Sequence, residues 1–385
     1  MLITLIFGGA AALFLVMSLG ALFHLQWVRR LPSLQALTAT GSVPGAAVRC
    51  SVVIAARDEQ MRIEQTIRRL LAQQGVETEV IVVDDRSTDL TGDILRRLTR
   101  EDARVRVKRL ETLPAGWLGK CHACHTGANA ATGEWILFTD ADCWLKPDLL
   151  ARAVCVAERA RADHIALTPG LSTEALGARA WHLAFLISLA NWISGVNRDR
   201  PRAHFGLGAF NLVRAAAYRE SGGYSALRLT VLDDVRLGLL LRRAGKRTRG
   251  FIGGDDVECH WGSKLKGMIQ IMEKNYFAAM DFRTGTALAA GACGILLFCA
   301  AVLGPLTGTV AGLGAGLAPF TFILPAGVLA HRLGWTWRAA MLTPFIFPVL
   351  VYAVLNSTFV TLRQGGIWWR ETFYAIETLR KGTLR

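Results

Sequence analysis

Asp84-Asp85, Asp140-Ala141-Asp142 and Asp233-Asp234 are three carboxylate clusters whose order and surroundings suit one kind of chemistry. The first follows Val80-Ile81-Val82-Val83 and the second follows Trp135-Ile136-Leu137-Phe138. Both should emerge at the C-terminal ends of buried strands, where open α/β sheets bind ligands. Carboxylates placed there suit a nucleotide and a hard divalent cation, and the third pair can supply a general base. Each cluster also has an ordinary reading. Ser87, Thr88 and Asp89 carry the N-cap chemistry of a helix start, and two acids in a first turn are favoured by the helix dipole.

The elements that must position these groups alternate along the chain. A β-branched run from Ser51 to Ala55 precedes Arg57-Asp58-Glu59, after which Ile63, Ile67, Leu70 and Leu71 recur at helical spacing. The same order returns with Val80–Val83, the loop Asp84 to Thr91, and a helix carrying Ile94, Leu95 and Leu98. Val105–Val107 and Trp135–Phe138 complete a set that favours an α/β fold, a parallel sheet covered by helices.

The flanks have a different character. The 385 residues are 52% hydrophobic, and a mean hydropathy of +0.32 is high for a soluble protein. No Lys, Arg, Asp or Glu interrupts Leu2 to Trp27, a run long enough for one membrane helix. It lacks a basic n-region and exceeds a signal-peptide core, so residues 1–28 read as an uncleaved anchor. Thr284 to Ala330 and Ala339 to Leu362 give residues 284–362 about three further helices, with residues 48–283 as the domain between and residues 363–385 as a basic tail. Arg29-Arg30, His331, Arg332 and Arg338 place that domain in the cytoplasm at the inner membrane. Counted as four crossings, the helices leave Arg363, Arg370, Arg380, Lys381 and Arg385 on the wrong side, so one run is re-entrant or the runs divide differently. Gly365-Gly366-Ile367-Trp368-Trp369-Arg370 resembles an interfacial aromatic anchor. The net charge of +14 is scattered over helices, which fits anionic lipid better than nucleic acid. The eight cysteines show no disulfide spacing, and a cytoplasmic domain would keep them reduced.

Taken together, Ser51-Val-Val-Ile-Ala-Ala-Arg-Asp-Glu59, Val82-Val-Asp-Asp-Arg-Ser-Thr-Asp89, Gly119-Lys120 with Gly127-Ala-Asn-Ala-Ala-Thr-Gly-Glu134, and Phe138-Thr-Asp-Ala-Asp142 resemble glycosyltransferase family 2. The resemblance continues through Gly208-Ala-Phe-Asn-Leu-Val-Arg214, Gly222-Gly-Tyr224 and Leu232-Asp-Asp-Val-Arg-Leu-Gly238. The flanking helices make it most similar to membrane-bound members acting on lipids, such as ceramide glucosyltransferase-like and hopanoid-associated enzymes. It implies a GT-A fold, a Rossmann-like mixed sheet flanked by transmembrane helices, and transfer of one sugar from a nucleoside diphosphate donor, UDP first, to a lipid-like hydroxyl with inversion. The implied roles are Asp142 for Mg²⁺ or Mn²⁺, and Arg57, Asp58, Glu59, Asp84, Asp85, Lys120 and Asp140 around the nucleotide. Asp234 would be the base, with Asp233 standing where glutamate is more frequent. Asn211, Trp261, Lys274 and Asn275 fall on the acceptor side, the last two in an apolar-striped helix that could lie at the membrane interface. Trp181 to Val196 could be a second such element.

Two features test this reading. Processive cellulose- and hyaluronan-type synthases carry a Gln/Arg-x-x-Arg-Trp string that this chain lacks, which disfavours a processive or polysaccharide-linked enzyme. Cys121-His122-Ala123-Cys124-His125 fits the pattern of c-type haem attachment or a zinc site, and so a membrane redox protein. That chemistry needs the compartment opposite to the one Arg29-Arg30 indicates. A third class, a non-catalytic anchor that only binds a nucleotide, is opposed by the intact acidic set.

Overall fold

The computed structural model describes residues 2–39, 48–262 and 264–384, so Arg385 of the expected tail lies outside the described residues. The unbroken apolar runs form strands buried on both faces, as helix-covered parallel strands must be. β1 (Arg49–Ala56), β2 (Glu77–Asp85), β3 (Val105–Leu110), β4 (Trp135–Asp140), β5 (Cys143–Leu145), β6 (His164–Leu171), β7 (Asn211–Arg214) and β8 (Thr248–Cys259) make one sheet in the order β3-β2-β1-β4-β7-β6-β8-β5. The first four are mutually parallel, and β7 runs antiparallel between β4 and β6. Register sets Ala55 beside Asp140 and Ala56 beside Asp84. The first two acidic clusters therefore stand side by side on the C-terminal edge of the sheet.

Alternation along the strands divides the core. Val52, Ile54, Val80 and Val82 meet Ile63, Ile67, Leu70, Leu95 and Leu98 of two covering helices on one face. Val53, Ile81, Ile136 and Phe138 meet the helices Gly119–Ala130 and Asp233–Arg243 on the other. Gly127 permits that close approach, since a Cβ there would stand 2.5 Å from Val53 Cγ1. The same second cluster takes in Phe277, Phe282 and Ala287 at the start of the C-terminal helices, and Ile367 and Leu379 of the tail.

Among the described residues, four helices are long and apolar enough to cross a membrane: Leu2–Leu25, Thr284–Thr307, Val310–Arg332 and Thr343–Gln364. The first is fastened to the sheet where it ends. Ile252 N donates to Arg29 O at 2.8 Å, Arg30 forms a parallel bridge with Ile252, and Arg332 donates to the carbonyls of Leu25 and Val28. Trp335 then packs on His182, ring centroids 5.7 Å apart. After the last helix the chain makes a hairpin of β9 (Gly366–Trp369) and β10 (Thr372–Ala375) that packs against the second core cluster. Cys143 and Cys259, directly opposed in the β5–β8 register, are joined as a disulfide. This departs from the expectation of reduced cysteines, because a pairing across 116 residues leaves no trace in local spacing.

Candidate active site

The third cluster reaches the first two through helix geometry. Asp233 and Asp234 open the helix Asp233–Arg243, so favourable placement at the dipole and service in a cavity go together here. That cavity encloses about 780 Å³ and is lined by Glu59, Asp85, Lys120, Asp140, Asp142, Asp233 and Asp234, among others. Lys120 ties two clusters, with Nζ 2.7 Å from Asp140 Oδ1 and 3.9 Å from Asp233 Oδ1. Close backbone approach shapes the floor. A Cβ on Gly119 would lie 2.2 Å from Asp85 Oδ2, and one on Gly208 would lie 2.6 Å from Asp140 Oδ2.

Burial sets the electrostatics. It pushes the Asp142 carboxyl up to about 7, with Asp140 and Glu59 adding to the effect. Among the described residues no cation lies within ion-pair distance of Asp142. An acidic group crowded by acids, with only the more distant charge of Arg62 to offset them, is a fit place for a divalent cation with a preference for hard oxygen ligands. Burial and then Asp233 push Asp234 up to about 6. Its Oδ2 accepts from Gly208 N at 2.7 Å and its Oδ1 from Val235 N at 2.8 Å, which fixes the carboxylate in the cavity wall. Asp233 is also raised by burial, and it accepts from Tyr224 OH at 2.9 Å. Burial works against the Lys120 ammonium, but Asp140, Asp233 and Asp234 outweigh it and hold its pKa well above the usual value.

Not every expected residue faces this space. Arg57, Glu59, Asp85, Lys120, Asp140, Asp142, Trp261, Lys274 and Asn275 line it. Asp58 and Asp84 brace the loops from behind. Asp58, in a left-handed conformation at φ 55°, accepts from Thr88 N at 2.8 Å. Asp84 accepts from Ser87 N at 3.0 Å and pairs with Arg109 at 2.7 Å. Asn211 sits beneath the site, fully buried, where it accepts from Leu207 N at 3.1 Å and lies 3.1 Å from His164 Nε2. Cys121 and Cys124 are buried in the helix Gly119–Ala130, their thiols pushed up by burial, while His125 stacks on Trp117. The three do not gather as metal ligands among the described residues, because the helix turns the thiols inward and the imidazole toward Trp117.

The tail supplies residues that the sequence reading did not assign to the site. Trp369, Arg370 and Tyr374 line the cavity, and Arg370 pairs with Glu59 at 2.7 Å while Glu371 pairs with Arg57 at 3.0 Å. Gly119 N donates to Tyr374 OH at 3.3 Å. The tryptophan–arginine string taken for an interfacial anchor was the only local signal. Phe185, Leu189 and Trp192 of the helix Leu176–Asn197, with Ile271 and Tyr276, add an apolar part to the lining.

Residues 51–222 match the sequence model of the family described as Glycosyl transferase family 2. The 4,4'-diaponeurosporenoate glycosyltransferase of Staphylococcus haemolyticus (strain JCSC1435) is 34% identical over 104 residues, 27% of each chain. The succinoglycan biosynthesis protein ExoO of Rhizobium meliloti (strain 1021) is 38% identical over 113 residues, 29% of this chain and 30% of its own. The chain thus spans less than a third of the length of these two curated relatives. The mannosyltransferase PcManGT from Pyrobaculum calidifontis, solved in complex with GDP-Man and Mn²⁺, superposes with a TM-score of 0.53 at 17% identity over 93% of this chain and 99% of its own. The strand order and this superposition give the chain a GT-A fold, within which residues 51–222 are similar to glycosyl transferase family 2.

Proposed function

We propose that the protein transfers a single sugar, with inversion, from a nucleoside diphosphate sugar to the hydroxyl of a lipid-like acceptor at the inner membrane, its catalytic domain in the cytoplasm. One observation carries this reading: Asp85, Asp140, Asp142, Asp233 and Asp234, from three distant parts of the chain, line one cavity together with apolar side chains of the helix Leu176–Asn197, which packs beside the membrane-grade segments. Arg57, Glu59, Asp85 and Lys120 surround the nucleotide end. Asp142 would hold Mg²⁺ or Mn²⁺, with Asp140 beside it toward the nucleotide. Such a cation, when bound, offsets the charge that builds on the departing diphosphate.

Asp234 accepts the proton of the acceptor hydroxyl as its oxygen bonds to the anomeric carbon and the bond from that carbon to the diphosphate breaks. A carboxylate raised toward neutrality is a better base than an ordinary one. Asp233, fixed by Tyr224, keeps Lys120 directed at the same space. A polysaccharide-linked acceptor is the second reading, favoured by the succinoglycan biosynthesis relative.

Titrating the detergent-solubilised protein with UDP, with and without Mn²⁺, tests the donor site, with GDP in parallel. Binding that needs Mn²⁺ and disappears in Asp142→Ala is the expected result. A wild-type protein that binds no nucleoside diphosphate under any of these conditions would overturn the transferase reading.

A further inference from the structure

Six cavity-lining side chains are cationic: Arg57, Arg86, Lys120, Arg236, Lys274 and Arg370. Five have a carboxylate partner. Arg57 pairs with Glu371 at 3.0 Å, Arg86 with Asp85 at 2.8 Å, Lys120 with Asp140 at 2.7 Å, Arg370 with Glu59 at 2.7 Å, and Arg236 with Asp281. Among the described residues, Lys274 alone of the six makes no ion pair. Its Nζ instead lies 3.8 Å from the centroid of the Trp369 ring. A ring face attracts a cation but does not neutralise it.

The position of Lys274 is set by its surroundings. It is the junction of the helices Leu265–Glu273 and Asn275–Ala279. Ser357 grips the backbone on both sides, donating to Glu273 O at 2.5 Å and accepting from Phe277 N at 2.9 Å. The neighbouring acid cannot serve as its partner, since Glu273 is engaged by Asn356 Nδ2 at 3.0 Å. Burial, followed by the charge of Lys120, pushes the Lys274 ammonium down to about 8, against the pull of Asp140 and Asp233. A buried cation with no counter-charge is costly unless an anion arrives to meet it.

We infer that Lys274 is a phosphate-binding residue, the one cation in the cavity left uncommitted for an incoming anion. The inference rests on the transferase reading of the same cavity. A compact ammonium is suited to phosphate as a point charge. Two sources present that group here: the diphosphate of the donor, and the phosphate head of a lipid acceptor entering past the helix pair that carries Lys274. Trp369, brought by the C-terminal hairpin, lies against the ammonium.

The test uses the full chain in detergent, with inorganic pyrophosphate and dodecyl phosphate as probes, on wild type, Lys274→Met and Lys274→Arg. The expected result is at least a tenfold loss of affinity for one probe in Lys274→Met, recovered in Lys274→Arg. Loss for pyrophosphate assigns the site to the donor, and loss for dodecyl phosphate alone assigns it to the acceptor. A Lys274→Met protein that binds both probes as wild type does would overturn the inference. The Asp142→Ala titration with UDP, run alongside, keeps the two readings apart. Nucleotide binding can fail there whatever Lys274 does, and intact metal-dependent binding leaves a negative Lys274 result to count against this site alone.

Discussion

Asp234 is an acid whose environment decides its use. Burial and the neighbouring Asp233 raise it to about 6, so the basic form accumulates only as pH passes through that value. A base works deprotonated, so turnover should rise with pH through about 6 and level off above it. Asp234→Asn should lower turnover by roughly 10²–10⁴-fold, the usual span for such a group, while leaving donor affinity unchanged. Retained turnover would remove Asp234 as the base. The residues that face the cavity were legible largely because Asp85, Asp140 and Asp142 follow buried runs and Asp233 and Asp234 open a helix. Asp58, Asp84 and Asn211 were not separable from them by spacing. Their direction depends on left-handed turns at Asp58 and Arg86 and on partners such as Arg109 and His164, which only the folded chain brings close.

At the scale of elements, one side chain holds four pieces of the sheet region together. Glu79 on β2 accepts from Ser51 Oγ of β1 at 2.5 Å, from Thr132 N and Oγ1 at 2.8 Å, and from Arg106 of β3 at 2.9 Å. Burial alone would raise this carboxyl, but those hydrogen bonds outweigh it and hold it at about 2. The sign follows: a depressed folded-state pKa stabilises fully above the unfolded value and is lost as pH falls toward 2. Glu79→Gln should cost about 2 kcal/mol at neutral pH by the loss of charged hydrogen bonds. The difference from wild type should shrink below pH 4.5 in denaturant titrations, and a constant difference at all pH values would exclude the charge as its source. The alternating strands and helices were readable from periodicity. The β9–β10 hairpin was not, because the aromatic and basic residues that press it onto Glu59 and Arg57, some 300 positions earlier in the chain, have the same composition as a membrane-interface anchor.

Over the whole molecule, the basic tail ceases to be an anomaly. Arg332 meets the sheet-side end of the first helix, and Arg370, after the last one, meets Glu59 on the acidic edge of the sheet. If the stretch between Arg332 and Gly365 leaves and returns to one face, Thr343–Gln364 would be re-entrant rather than a fourth crossing, and every basic flank would fall on the same side. With Cys293 and Cys299 replaced by serine, Met61→Cys and Lys381→Cys should react with an impermeant thiol reagent from one side of sealed vesicles and Leu306→Cys from the other. Labelling of Lys381→Cys together with Leu306→Cys would restore four crossings. The apolar lengths were plain in the sequence, whereas the direction of return was set by contacts of the tail. The fastening of the first helix to β8 through Arg29 and Arg30 has one more consequence. A cavity bolted to its mast cannot bob, so on the proposed function the distance from lipid surface to Asp234 would be a fixed elevation, and selection among amphiphiles would acquire a vertical coordinate: an acceptor hydroxyl would have to ride at that height to be reached.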